Sequence, residues 1–139
     1  MKKTKILIFT GAGVSKESGL DTFRNGDNAL WDNYNIDDVA TDYAWRNNPE
    51  KVIDFYNKRR KEMCGVIPNK AHDIIASLEE KFDVTIVTQN VDNLHEKAGS
   101  TNVIHLHGNI TKLQSDYNCD TKKEYDRDLK IGDVCEEGG

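Results

Sequence analysis

The sequence is poor in cysteine, in long apolar runs and in excess basic charge, and each shortage removes a class of function. Its three cysteines, Cys64, Cys119 and Cys135, are odd in number and widely separated. That argues against a disulfide framework and for a reducing, cytoplasmic setting. The lysines of "MKKTKILIFTGAG" imitate a secretory leader, but the apolar run behind them is only "ILIF" and no longer one follows. Such a chain is expected to be neither exported nor membrane-spanning. With a formal net charge of -5 it has no broad basic footprint to hold a phosphate backbone, so nucleic acid is not an expected partner. The basic run "NKRRKE" at 57–62 is read as the solvated face of a helix. No internal repeat is visible.

At 139 residues the chain has the size of one ordinary domain, or of part of one. "KILIFTGAG", 5–13, is a short apolar run stopped by a glycine turn, the pattern of a fully buried parallel strand feeding a helix. Residues 25–47, rich in Asn and Asp with two tryptophans, read as irregular and turn-rich. Asn48 and Pro49 supply a cap and a first helical position, and "EKVIDFYNKRRKEM" continues as helix up to Gly65, with Val52, Ile53, Phe55 and Tyr56 near one side. Asn69 caps a second helix, "KAHDIIASLEEK", with Ile74, Ile75 and Leu78 as its apolar stripe. "FDVTIVTQ", 82–89, is a second buried strand, "NLHEKAG" a short helix closed by Gly99, and "NVIHLHG", 102–108, a third strand. From Ser115 onward the chain is charged and poor in apolar side chains, and a loop module or partial disorder is expected there.

Strands alternating with helices imply βαβ units, a Rossmann-like α/β fold with a parallel sheet, and a ligand crevice at the carboxyl ends of the strands. "GAGVS", "TQNVDN" and "HLHG" all fall at that edge, so one site is being assembled. "GAGVSKESG" begins as G-x-G but carries Lys16 where the dinucleotide fingerprint has its third glycine, and no Gly-Lys-Ser/Thr follows to make a Walker loop. Its glycines let main-chain N–H groups approach a phosphate, although a tight turn without any ligand has the same look. His105 and His107, two apart, share a face if the strand stays regular to Gly108. A histidine at the carboxyl end of a strand suits a general base, with a core or surface histidine as the alternative, and His105 reads as the latter.

Taken together, "GAGVSKESGLDTFR", "TQNVDNLHEKAG" and "HLHG" resemble the sirtuin family of NAD-dependent protein-lysine deacylases. The likeness covers nearly the whole chain in the family's order, and "TQNVDNLHEKAG" fits the family's T-Q-N-hydrophobic-D-x-L-H-x-x-A-G at every defined position. It implies NAD as cofactor and acyl-lysine proteins or peptides as substrates. It implies that Gly11, Ala12, Gly13 and Ser15 line the dinucleotide loop, that Phe23 and Arg24 belong to the segment covering the cofactor, and that Gln89, Asn90 and Asp92 contact ribose and nicotinamide. His107 matches the catalytic base, which takes a proton from a ribose hydroxyl, while Asn90 holds the reacting groups in geometry. Tyr56 and Arg59, at i and i+3, look like the Tyr-x-x-Arg of members that remove malonyl or succinyl groups. An arginine fork and a phenol together suit a terminal carboxylate, although an amphipathic helix with a basic face has the same spacing.

Departures from the family also carry expectations. Tetrahedral structural zinc needs four ligands, and where many sirtuins have two C-x-x-C pairs this chain has only the lone Cys119 and Cys135, so no zinc is expected. Asp21 and Thr22 replace a proline and an aspartate common in the family, and His105 stands where many members have glutamate. The resemblance divides the chain into a nucleotide-binding core (1–26 and 69–112), a helical insertion (27–68) and a small module without zinc (113–139). It stops before the family's substrate-binding strand and the second half of its sheet. The chain is therefore expected to be the front portion of a sirtuin, with an unpaired sheet edge and an uncovered face. An NAD glycohydrolase on the same site, or an inactive remnant, are the alternatives. The sequence does not fix an oligomeric state.

Overall fold

The structure, a computed structural model, describes residues 2–20, 35–115, 122–125 and 127–133. Phe23, Arg24, Cys119 and Cys135, with the readings placed on them, lie outside the described residues. The chain forms two compact units, Met1–Ala29 with Gly65–Asn109, and Leu30–Cys64 with Ile110–Gly139.

The first unit is built on three parallel strands in the order β1-β2-β3, with β1 Lys5–Thr10, β2 Asp83–Thr88 and β3 Val103–His105. The register sets Ile6 beside Val84, Ile8 beside Ile86 and Thr10 beside Thr88, which in turn pairs with His105. Side chains alternate across a strand, so these residues share one face. Val84, Ile86 and Thr88 are buried there. The other face carries Leu7, Phe9, Val87 and Ile104, and Leu7 is 70% and Phe9 62% exposed. Strand β1 is therefore not fully buried as its apolar run suggests; only one set of its alternating side chains is packed.

A 3-10 helix, Ala12–Ser18, follows β1 and ends at Gly19, whose φ of 89° is in the left-handed region that glycine reaches without strain. Helix α4, Lys70–Ser77, starts at the cap Asn69, whose side chain accepts from the Ala71 N–H, while His72 closes a capping box by accepting from the Asn69 N–H. A 3-10 turn, Leu78–Glu80, extends it. The core-facing residue of α4 is His72, whereas Ile74 of the expected stripe is exposed. His72 has a partner ring to pack on, His95 of the short helix α5, Leu94–Lys97. Two residues on from His72 a helix has turned through more than half a circle, so Ile74 points outward.

In the second unit, α1 (Ile36–Val39) and α2 (Asp42–Asn47) replace the irregular segment expected over 25–47, as far as that segment is described. Val39 and Ala44 supply their buried positions and Thr41 caps α2 by accepting from the Ala44 N–H. Helix α3, Pro49–Cys64, begins with the Asn48 side chain accepting from the Lys51 N–H and buries Val52, Ile53, Phe55, Asn57 and Met63. The stretch expected to be a loop after Ser115 contains β5, Lys122–Glu124, antiparallel to β4, Lys112–Gln114. Side chains of α3 also hold the main chain of this region. Asn57 Nδ2 donates to Leu129 O at 2.8 Å, Asn57 Oδ1 accepts from the Leu129 N–H at 2.9 Å, and Arg60 Nε donates to Ile110 O at 3.0 Å.

Candidate active site at the strand ends

Parallel strands release their chains at one edge, and here the releases follow Thr10, Thr88 and His105. The turn after β1 meets the turn after β2 through polar side chains that are almost wholly buried. Ser15, 2% exposed, donates its hydroxyl to Asp92 Oδ2 at 2.9 Å and accepts from Asn90 Nδ2 at 3.1 Å. Asn90 Nδ2 also donates to Gly11 O at 3.1 Å, and Asp92 Oδ1 accepts from the Leu94 N–H at 3.1 Å, starting α5. Polar groups are tolerated at such depth only when paired, and each of these is. Gly11, Ser15, Asn90 and Asp92 thus form one connected set. In this state Asn90 and Asp92 are committed to protein partners.

The two glycines of the turn differ. A Cβ on Gly11 would come within 3.3 Å of Gln89 Oε1, so the missing side chain admits Gln89. A Cβ on Gly13 would meet nothing within 4 Å, so the main chain there is open to an approaching molecule. Ala12 sits between them at the start of the 3-10 helix, where the first N–H groups have no partner within the helix.

Three successive carbonyls leave the end of β2, and the last residue of β3 with the two that follow it takes all three. Leu106 N–H donates to Thr88 O at 2.9 Å, His107 Nδ1 to Gln89 O at 3.0 Å, and His105 Nδ1 to Asn90 O at 2.8 Å. The strand does not stay regular to Gly108, the condition for His105 and His107 to share a face, because β3 ends at His105. Regular strand geometry sends consecutive carbonyls to opposite sides, so a bend at Gln89 is what allows one segment to collect them. A carbonyl oxygen only accepts, so the His107 proton sits on Nδ1 and the lone pair of the neutral ring on Nε2. His107 is exposed, and its Nε2 meets no partner among the described residues.

His105 is nearly buried and engaged at both ring nitrogens. Its Nε2 lies 2.7 Å from Glu96 Oε1, and Asn109 Nδ2 is 3.2 Å from the same nitrogen. Burial pulls the His105 pKa down, but the hydrogen bonds to Glu96 and to the Asn90 carbonyl outweigh it and hold it above the usual histidine value. For Glu96 burial pushes upward, and the bond from His105 brings the carboxyl below its usual range. Behind them, Thr10 Oγ1 is 3.0 Å from His95 Nε2, and the rings of His95 and His72 meet edge to face at 4.9 Å. Burial lowers the pKa of both rings, and for His95 the neighbouring His72 adds to the effect. The sequence reading assigned no role to Thr10, His72, His95 or Glu96. The one available signal was that His95 and Glu96 lie inside "TQNVDNLHEKAG".

Tyr56 and Arg59 lie on α3 in the second unit, close enough for the guanidinium to act on the phenol. Burial raises the Tyr56 pKa and Arg59 opposes it. Arg59 Nη1 pairs with Glu62 Oε2 at 3.2 Å, and its side chain is only 12% exposed.

Comparison with known proteins gives a consistent result. An NAD-dependent protein deacylase of Helicobacter pylori (strain ATCC 700392 / 26695) is 46% identical over 132 residues, covering 95% of this chain and 57% of that protein. The solved complex of a Sir2 homologue mutant with ADP-ribose superposes with a TM-score of 0.81 at 39% identity, covering 97% of this chain and 54% of that one. A Sir2 homologue–NAD complex gives 0.78 at 40% identity, covering 97% and 53%. The chain thus spans somewhat over half the length of the proteins it matches. The model of the Sir2 family runs over residues 11–136, from the first glycine of the β1 turn through both polar turns and α3, and the chain belongs to that family, the sirtuins.

Proposed function

We propose that this chain carries the NAD-binding and catalytic portion of a protein-lysine deacylase, with acylated lysine in proteins or peptides as the substrate. The observation that carries the reading is the fixed ring of His107. Its Nδ1–H is spent on Gln89 O, which leaves Nε2 as a proton acceptor at the same sheet edge that carries the Gly11, Ser15, Asn90 and Asp92 set. The residues present suit NAD: the open main chain at Gly13 and the start of the 3-10 helix favour phosphate, and amide, hydroxyl and carboxylate groups favour ribose and nicotinamide. When bound, NAD supplies a ribosyl carbon that gives up nicotinamide and receives the acyl group.

In this reading Gly11, Ala12, Gly13 and Ser15 cradle the dinucleotide, with Phe23 and Arg24 as further contacts. Gln89, Asn90 and Asp92 orient it, exchanging some of their internal hydrogen bonds for bonds to the ligand. His107 Nε2 takes the proton of a ribose hydroxyl. Tyr56 and Arg59 favour a substrate ending in a carboxylate, because the guanidinium already holds one in Glu62 and the neighbouring phenol adds a donor. Zinc has no part in it, since only lone Cys119 and Cys135 stand where paired cysteines would hold the metal. The odd, widely spaced cysteines support a cytoplasmic setting. No described helix is long and apolar enough to cross a membrane.

The test is NAD consumption by the purified chain with and without a succinyl-lysine peptide, repeated with His107→Ala. Peptide-dependent consumption that the substitution abolishes is the expected result. Nicotinamide release that ignores the peptide makes the site a glycohydrolase, and no consumption with no NAD-induced rise in melting temperature makes it an inactive remnant.

A further inference from the structure

We infer that His105, held by Glu96, is a positioning residue: it fixes the main chain of Asn90 so that the Asn90 side chain reaches the Gly11–Ser15 turn. The inference rests on the reading of that turn as the NAD site. Asn90 is tied through its main chain on both sides and through its side chain. Its N–H donates to Thr88 Oγ1 at 3.0 Å, its carbonyl accepts from His105 Nδ1 at 2.8 Å, and its side-chain amide donates to Gly11 O and Ser15 Oγ. Only the carbonyl tie comes from a side chain able to change charge. Release of that carbonyl lets the 90–91 peptide turn, and the amide then loses its aim at Gly11 and Ser15.

Both ring nitrogens of His105 face acceptors, Asn90 O on one side and Glu96 Oε1 at 2.7 Å on the other, the Asn109 amide at 3.2 Å from Nε2 being the weaker neighbour that also reaches Glu96. A ring that donates from both nitrogens is an imidazolium. The side chain is 10% exposed, and burying an ion pair costs more than burying an apolar side chain of the same size. Packing therefore does not account for it, whereas a clamp on one carbonyl does. Glu96 and Asp92 are the acidic groups that face the ring, His95 is the basic one, and Asn109 is the neutral neighbour. Loss of the ring proton at higher pH leaves one donor for two acceptors.

The experiment is calorimetric NAD titration of the full chain from about pH 6 to about pH 9, the range a perturbed histidine reaches. It compares the unmodified protein with His105→Leu and His105→Asn, and adds amide NMR of the ligand-free proteins. His105→Leu removes a charge-assisted hydrogen bond and is expected to weaken NAD binding about tenfold or more. His105→Asn keeps a side-chain N–H near the place of Nδ1 and is expected to recover most of the affinity. The unmodified protein loses affinity as pH rises and His105→Asn does not, a contrast that His107, present in both, cannot produce. Equal affinity in His105→Leu, or the same pH profile in His105→Asn, overturns the inference and leaves the NAD reading intact. If the unmodified protein binds no NAD, that reading fails, and the side-chain amide signal of Asn90 decides the inference. The inference stands if the signal shifts or broadens in His105→Leu, and falls if it is unchanged. Should His105→Leu not fold, the unmodified protein and His105→Asn still decide it: different pH profiles support the clamp and identical ones overturn it.

Discussion

The pair His72 and His95 makes the dependence of stability on pH calculable in sign and bounded in size. Both rings are essentially inaccessible, at 0% and 1% exposure, and Asn69 N–H donates to His72 Nδ1, so protonating that nitrogen breaks the capping box of α4. Burial lowers both pKa values below 6.5, and each ring opposes a charge on the other. In the window below pH 6.5 the unfolded chain takes up protons that the folded chain refuses, so stability falls on acidification. Each histidine contributes at most about 1.4 kcal/mol per pH unit, and because the unfolded rings are only half protonated at about pH 6.5 the pair loses up to about 2 kcal/mol over the first unit below it. His105 works in the opposite direction. Its folded pKa is raised, so its contribution is complete below 6.5 and is lost as pH rises through the folded value. The two effects oppose each other, so the acid limb belongs to His72 and His95 and the decline above pH 6.5 to His105. Urea unfolding at half-unit steps from pH 5 to pH 8 measures the curve, and His72→Gln isolates the acid limb. Glutamine keeps the capping-box acceptor but has no titration, so the acid slope should fall to about half. A curve flat below pH 6.5, or an unchanged slope in His72→Gln, refutes the assignment of these two rings as buried and neutral.

Two further outcomes follow from the hydrogen-bond geometry. Ser15→Ala leaves the buried Asp92 carboxylate without the donor at 2.9 Å and Asn90 without one acceptor, an expected loss of about 2 kcal/mol in chemical denaturation. A loss within about 0.5 kcal/mol, typical of a surface change, would show that the network is not maintained in solution. In the second unit, Asn57→Ala removes both side-chain partners of the Leu129 main chain. The Leu129 amide should then lose its hydrogen-exchange protection, while the amides of β2 in the first unit keep theirs.

The sheet and its polar edge were legible because their signals are local. "ILIF" before Gly11 and "VTIV" before "TQN" are apolar runs cut by turn chemistry, and the strands lie where these runs fall. Asn69 and Gly99 mark helix ends through side-chain capping and positive φ, both readable from residue type. Helices α1 and α2 were not legible, since four and six residues are too few to display a helical period and the segment before them is dense in Asp and Asn. Strand β5 was missed for a related reason: in "KKE" the strand state comes from pairing with β4 and not from apolar alternation. The apolar stripe of α4 failed at Ile74 because a histidine won the inward position, through a contact with a second histidine on the distant helix α5.

The site itself marks the boundary more sharply. "HLH" places two histidines in the same short segment, and sequence reasoning separated them by preferring a base for one and an inert ring for the other. The structure separates them by a criterion that residue type does not contain. Each ring gives Nδ1 to a main-chain carbonyl of the β2 turn, Gln89 O for His107 and Asn90 O for His105. The second nitrogen decides the chemistry: on His105 it faces the Glu96 carboxylate, and on His107 it is open among the described residues. A ring with both nitrogens engaged has no lone pair to offer and serves by fixing geometry. A ring with one nitrogen engaged has its tautomer chosen and its lone pair aimed. The same side chain, two residues apart, is a clamp in one place and a candidate base in the other, and what distinguishes them is the carboxylate that Glu96 brings from helix α5 to the first.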